Sequence, residues 1–242
     1  MSKRSKKASS NPWRDWRENV RELAIVVVGV FIALVAQQLA DDWQWRQKTR
    51  SAIAAMRHEL LWDDGPQIYQ RAVAHPCAVA RLDAIRAAVE TGRSRAELWD
   101  LIDSYGIGFV TYDSAAHDAA IAAEAFTHMS EAEAASFANI YPSMPVFNRT
   151  AEREAAHIAE LRALRRTGGP LSAAEVDATL SRVEALRNDE GVMWGGAKWV
   201  IPTLRKMGPL DSKRTEQLVG FSREQYGDCI KPLPDDFPKS VR

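Results

Sequence analysis

The stretch LAIVVVGVFIALVAQQLA, Leu23 to Ala40, decides the reading of this chain, because a short basic segment precedes it and a long helix-forming sequence follows it. As an α-helix, 18 apolar residues rise about 27 Å, slightly less than the ~30 Å hydrocarbon thickness of a bilayer. Gln37 and Gln38 interrupt its far end. Trp13 and Trp16 on one side, with Trp43 and Trp45 on the other, stand where interfacial aromatic belts belong. A membrane-spanning helix in contact with the lipid bilayer is therefore expected. A cleaved signal peptide is the competing reading; its best cleavage site, after Leu34-Val35-Ala36, has a bulky residue at the outer position, so the anchor is expected to be retained.

Outward from that stretch the charges are uneven. Residues 1–22 form a basic leader carrying Lys3, Arg4, Lys6, Lys7, Arg14, Arg17 and Arg21, whereas the residues just beyond Ala40 hold only Arg46, Lys48, Arg50 and Arg57. The positive-inside rule then puts the leader in the cytoplasm and the following domain in the periplasm. A bacterial inner membrane is expected, since Arg outnumbers Lys and Ala is abundant, as in GC-rich bacterial genomes. The full chain of 242 residues balances 32 Lys and Arg against 32 Asp and Glu, so no net field recruits nucleic acid, and no nucleic-acid partner is expected.

Within the apolar run, Gly29, Ala33, Ala36 and Ala40 follow steps of four, three and four, which sets them on one helical face with Gln37 at its edge. Such a face allows close approach of a second membrane helix, from a homodimer or another membrane protein. Small residues are also common in membrane helices for no such reason. Cys77 and Cys229 both follow the anchor. An oxidising compartment would let them form a disulfide, at about 4 to 5 kcal/mol in the chain-entropy model, and two unrelated thiols are the other reading.

The segment Gly29-Val-Phe-Ile-Ala-Leu34, followed by Trp43 and a charged helix, resembles the opening of a family of uncharacterised single-pass bacterial membrane proteins that begin with a G-x-x-I-A-L helix and a Trp shortly beyond it. The resemblance covers roughly residues 20 to 60, and the Tyr112-Asp113 dipeptide is a looser echo. It implies a membrane-anchored helical domain and brings no catalytic residues with it.

The remainder predicts an all-α fold: an N-terminal transmembrane helix (23–40) extending into a periplasmic helical bundle (41–231), with an irregular tail (232–242) tethered only if Cys229 is bridged. The first helix is expected to continue to about Trp62 and to stop at Asp63-Asp64-Gly65-Pro66, with Asp64 as a cap. Pro76 should break or kink the next segment, before a helix of Val79, Leu82, Ile85 and Val89. Ser94 caps a short helix; Ser130 with Glu133 and Ser172 with Glu175 form capping boxes. Tyr105 to Asp113 reads as an extended connector whose glycines let it cross closely over a helix. Ser114 to Phe126 reads as an alanine-rich helix, and Pro142 and Pro145 as a kink. A helix from Phe147 should pair with the next as an antiparallel hairpin, and Gly191, Gly195 and Gly196 should make that second helix stumble.

No chemistry announces itself. His58, His75, His117, His128 and His157 are scattered, and the adjacent pairs His58-Glu59 and His117-Asp118 point about 100° apart on a helix. Gly191 to Lys198 superficially resembles a phosphate-binding loop, but Ala197 precedes the lysine and Trp199 replaces the hydroxyl residue. No catalytic, cofactor-binding or metal-ligating residue is nominated, nothing polar in the sequence converges on the glycines near Trp194, and no enzyme activity is expected. The sequence favours an envelope structural or protein-interaction module. A ligand-sensing domain signalling through the anchor is the alternative, and an enzyme with a fold-assembled site edged by Tyr105 to Asp113 is the third.

Overall fold

A computed structural model describes residues 12–106, 110–164 and 169–237. The chain is all-α, with no strand among the described residues. It divides into two units, Met1–Arg50 and Ser51–Arg242.

The first unit is carried by helix α1 (Pro12–His58), which runs on beyond it. Every Leu, Ile, Val and Phe from Leu23 to Ala40 is exposed, so this stretch contributes nothing to a protein core. It is long and apolar enough to cross a membrane, as an anchor or as a signal sequence. Gly29, Ala33, Ala36, Gln37 and Ala40 are exposed, and a Cβ added at Gly29 would meet nothing within 4 Å. Trp16 and Trp43 are also exposed, while Trp45 is half-buried with the Lys48 ammonium 4.7 Å from its ring. The Trp13 side chain and residues 1–11 of the leader lie outside the described residues.

In the second unit the end of α1 passes through a π-helical turn (Glu59–Asp64) straight into α2 (Gly65–Glu90). The stop expected at Gly65-Pro66 does not occur, and Asp64 caps nothing with its side chain. Pro66 lacks an N–H and its ring crowds the carbonyl four residues back; a widened turn ahead of it accommodates both. Gly65 is needed there, because a Cβ would strike the Leu60 carbonyl and the Leu210 side chain. Pro76 likewise sits inside α2 without ending it, on its exposed side between buried Val73 and Cys77.

Helix α3 (Arg95–Asp103) starts on a complete capping box of Ser94 and Glu97. Helix α4 (Ala115–Ala122) is shorter than expected, giving way at Glu124, whose φ is 56°, to a 3-10 turn at Ala125–His128. Helix α5 (Glu131–Ile140) has Ser130 as its cap. Pro142 lies in a 3-10 turn (Tyr141–Ser143), and α6 (Met144–Ala163) accommodates Pro145 in its first turn. Helix α7 (Ala173–Met207), capped by Ser172 and Glu175, runs uninterrupted through its glycines and Pro202. Its buried Met193, Ala197, Val200 and Leu204 hold it where glycine alone would weaken it. Only Gly196 is required by packing, since a Cβ there would enter the Phe147 ring, whereas Gly191 and Gly195 face open space.

Helix α8 (Ser212–Tyr226) lies in a stretch for which the sequence suggested no helix. It packs on α2, and the central contact of the unit is α2 against α7, with α6 beside α7. Besides a small apolar cluster around Cys77, two large ones result. One gathers Leu60, Ile68, Phe137, Met144, Phe147 and Met193; the other gathers Leu82, Ile85, Leu98, Ile158, Leu161 and Leu186. Cys77 and Cys229 form a disulfide with Cα atoms 5.8 Å apart, amid Val73, Val219 and Ile230. The tail is tethered by more than that bridge: Phe237 is buried with its ring 5.2 Å from Trp194, and the Asp235 carbonyl accepts a 2.8 Å bond from Arg205. Residues 238–242 lie outside the described residues.

Gly196→Ala should lower stability by about 1 to 3 kcal/mol through overpacking. Gly220→Ala, at an open position of α8, should raise it by about 0.5 to 1 kcal/mol. Urea unfolding in mild detergent reads both, and a neutral Gly196→Ala would refute the close crossing of α6 and α7.

Candidate functional site

The two apolar clusters are separated by a charged layer drawn from three helices. Arg71 and His75 stand four residues apart on one face of α2; Thr150 and Glu154 come from α6, and Asp189 and Glu190 from α7. All but His75 are buried. The Arg71 guanidinium bonds Glu154 at 2.6 Å and lies 3.4 Å from Glu190 through the same nitrogen. His75 Nδ1 is 3.3 Å from the other Glu190 oxygen, and its ring stacks on Trp194 with centroids 4.8 Å apart. At the edge of the layer Arg153 bonds Asp189 at 2.6 Å and the Thr150 hydroxyl at 3.2 Å.

One cation thus faces two desolvated carboxylates. Burial pushes Glu154 up to about 7, against the pull of Arg71 and with the push of Glu190. Burial also works to lower Arg71, but Glu190 and Glu154 outweigh it and hold the guanidinium charged above its ordinary range. The Tyr105 and Tyr112 phenols are raised by burial first, and both feel Arg71, Glu154 and Glu190. Their hydroxyls, with Arg71 Nε and Nη1, have no hydrogen-bond partner among the described residues.

A second polar group sits beside the π-helical turn. Glu59 accepts the Ala116 N–H at 2.8 Å, near the start of α4, and the Tyr141 hydroxyl at 2.8 Å. Asp64 accepts the Asp113 N–H at 3.1 Å and is raised by burial to about 7, with that bond opposing the rise. The His117 ring stacks on Tyr141 at 4.3 Å, and its Nδ1 lies 3.3 Å from Asp118, so this adjacent pair does meet although successive helical side chains diverge. Asn148 binds both backbone groups of Tyr112 at 2.8 Å, which pins the far end of the connector. Its near end crosses α8 at Gly106, where a Cβ would strike Gln225. Residues 107–109 of the connector lie outside the described residues.

The expectation that nothing polar converges near Trp194 is overturned. Glu154 lies between Ala151 and Ile158, and Glu190 between Leu186 and Met193, all on the buried faces of their helices. That spacing, an ionisable residue on an apolar stripe, was the signal in the sequence. Among the described residues no three His, Cys, Asp or Glu side chains are placed to hold a metal ion. A groove of about 420 Å³ between α2 and α8 is lined by Tyr69, Val73, Leu210, Thr215, Val219 and Pro232. Another of about 250 Å³ lies between α6 and α7 at Glu160, Leu164, Thr179 and Arg182. Neither is lined by the buried carboxylates.

Comparison with family models, with curated proteins and with solved structures finds no match to this chain.

Glu154 and Asp64 hold a proton more tightly folded than unfolded. Their contribution to stability is complete below the ordinary carboxylate range and is lost as pH rises through about 7. Between pH 5 and pH 8.5 the domain should therefore lose stability, by up to about 3 kcal/mol for each group. Glu154→Gln and Asp64→Asn should each flatten this slope in urea titrations, and an unchanged slope in both would sink the assignment.

Proposed function

We propose that this protein is a single-pass protein of the bacterial inner membrane, with its basic leader in the cytoplasm and its helical domain in the periplasm, acting through protein contacts rather than catalysis. The observation that carries this reading is the exposure of every large apolar side chain from Leu23 to Ala40 on a helix long enough to cross a bilayer. The excess of Lys and Arg ahead of the helix supports the orientation. The Cys77–Cys229 bridge supports a domain on the oxidising side. The likeness of residues 20 to 60 to the single-pass family supports a membrane-anchored helical domain. The contacts of the membrane segment would run along Gly29, Ala33, Ala36 and Ala40, with Gln37 hydrogen-bonding across them.

A periplasm-dependent reporter fused after Arg242 should be active and remain with carbonate-washed membranes. Activity of a cytoplasm-dependent reporter would refute the orientation, and release of a shortened chain would make the segment a signal peptide. Partners should copurify after crosslinking in mild detergent. Gly29→Leu should weaken any self-association made through the membrane helix, and unchanged association would remove that face from consideration.

A further inference from the structure

The outer face of α7 leaves a large apolar side chain uncovered. Trp199 is 82% exposed, although its neighbours Val200 and Ile201 are buried in the core. Four residues before it lies Gly195 and eight before it Gly191, and a Cβ added at either would meet nothing within 4 Å. The same helix therefore offers a bulky apolar knob and a stretch of bare backbone side by side. Val192, 36% exposed, flanks the bare stretch.

The positions are symmetric about Gly195. Gly191 and Trp199 lie four residues to either side of it, Asn188 and Pro202 seven, and Glu184 and Lys206 eleven. All fall within about 40° of one line along the helix at 100° per residue. Two copies of α7 crossing antiparallel at Gly195 would place each indole in the layer of the other copy's Gly191, which leaves room for it, next to Val192. The same register sets the Glu184 carboxylate opposite the Lys206 ammonium, twice. Glu184 is 63% exposed while it pairs with Arg86 of its own chain, so it remains open to a lysine from outside. Only a second copy supplies knob, gap and both charges in this mirrored order, as a twofold contact requires.

We infer that two copies of this chain associate through the α7 face centred on Gly195, antiparallel, with Trp199 as the anchoring side chain. This gives the protein-contact reading above a partner and rests on it.

The test uses the full chain in native membranes and in mild detergent, with the native cysteines bridged and one free thiol introduced at a time. Gly195→Cys should form disulfide-linked dimers on mild oxidation. A mixture of Gly191→Cys and Trp199→Cys chains should give the mixed dimer in preference to either homodimer. In the Gly195→Cys background, Trp199→Ala should cut the yield about tenfold, the loss of a typical hot spot. Lys206→Glu should also lower it, and Glu184→Lys added to Lys206→Glu should restore it. Crosslinking at Gly195→Cys no greater than at Lys213→Cys, an exposed control on α8, would overturn the proposal while leaving the reporter result untouched. So would a yield lowered by Gly29→Leu and indifferent to Trp199→Ala.

Discussion

The domain depends on one guanidinium. Arg71 sits between two apolar clusters and holds Glu154 of α6 and Glu190 of α7 through a single nitrogen, so three helices meet at one charge. Removing a charge from water costs several kcal/mol, and a buried ion pair seldom returns much more than that. The layer is therefore weak as a source of net stability and strong as a constraint. Apolar side chains on either side would tolerate a helix sliding by a turn, because leucine and isoleucine repack with modest loss. A slide of α7 that took Glu190 away from Arg71 and His75 would leave a buried carboxylate unpaired, which is far more costly. The layer thus sets the relative register of α2, α6 and α7.

The π-helical turn does comparable work on the connector. A turn with i to i+5 periodicity puts Glu59 and Asp64 on one side of the chain, and each accepts a backbone N–H from the segment that opens α4. A regular α-helical turn would rotate one of them away. Asn148 then closes the other side of the same segment by binding both backbone groups of Tyr112. The connector is thus held by side chains of helices on either side of it rather than by a ladder of its own, which satisfies backbone groups that burial would otherwise leave stranded.

These devices explain what could be read from the sequence. The caps at Ser94, Ser130 and Ser172 were legible because capping is local, fixed by residues three apart. So was the all-α class, since apolar spacing repeats through α2, α6 and α7. Glycine misled at Gly65 and Gly191, and Pro76 does not end its helix, because their cost within a helix is a few kcal/mol at most and burial of neighbouring residues outweighs it. The charged layer went unread because an ionisable residue on an apolar stripe marks each helix separately and does not say which helices meet. Arg71, Glu154 and Glu190 are ordinary residues in helical sequence until the three helices come together.

Helix α8 was missed for a related reason, and the reason bears on the disulfide. Of its fifteen residues only Val219 and Ser222 are buried, too few for a helical stripe to show. Burying one such valine contributes about 1.5 to 3 kcal/mol, little against the entropy of ordering four turns. Polar contacts add to it: Gln70 to Ser222 at 3.0 Å and the Tyr226 hydroxyl to the Gly106 carbonyl at 3.2 Å. The larger contribution comes from linking Cys77 to Cys229 across 152 residues of sequence, about 4 to 5 kcal/mol in the chain-entropy model. Cys77 lies on α2 two residues beyond His75, so the bridge fastens α8 and the start of the tail to the helix already positioned by Arg71. The covalent bond thus reinforces the small apolar cluster of Val73, Val219 and Ile230 at this end of the domain, and the noncovalent layer gives that bond a fixed place to hold.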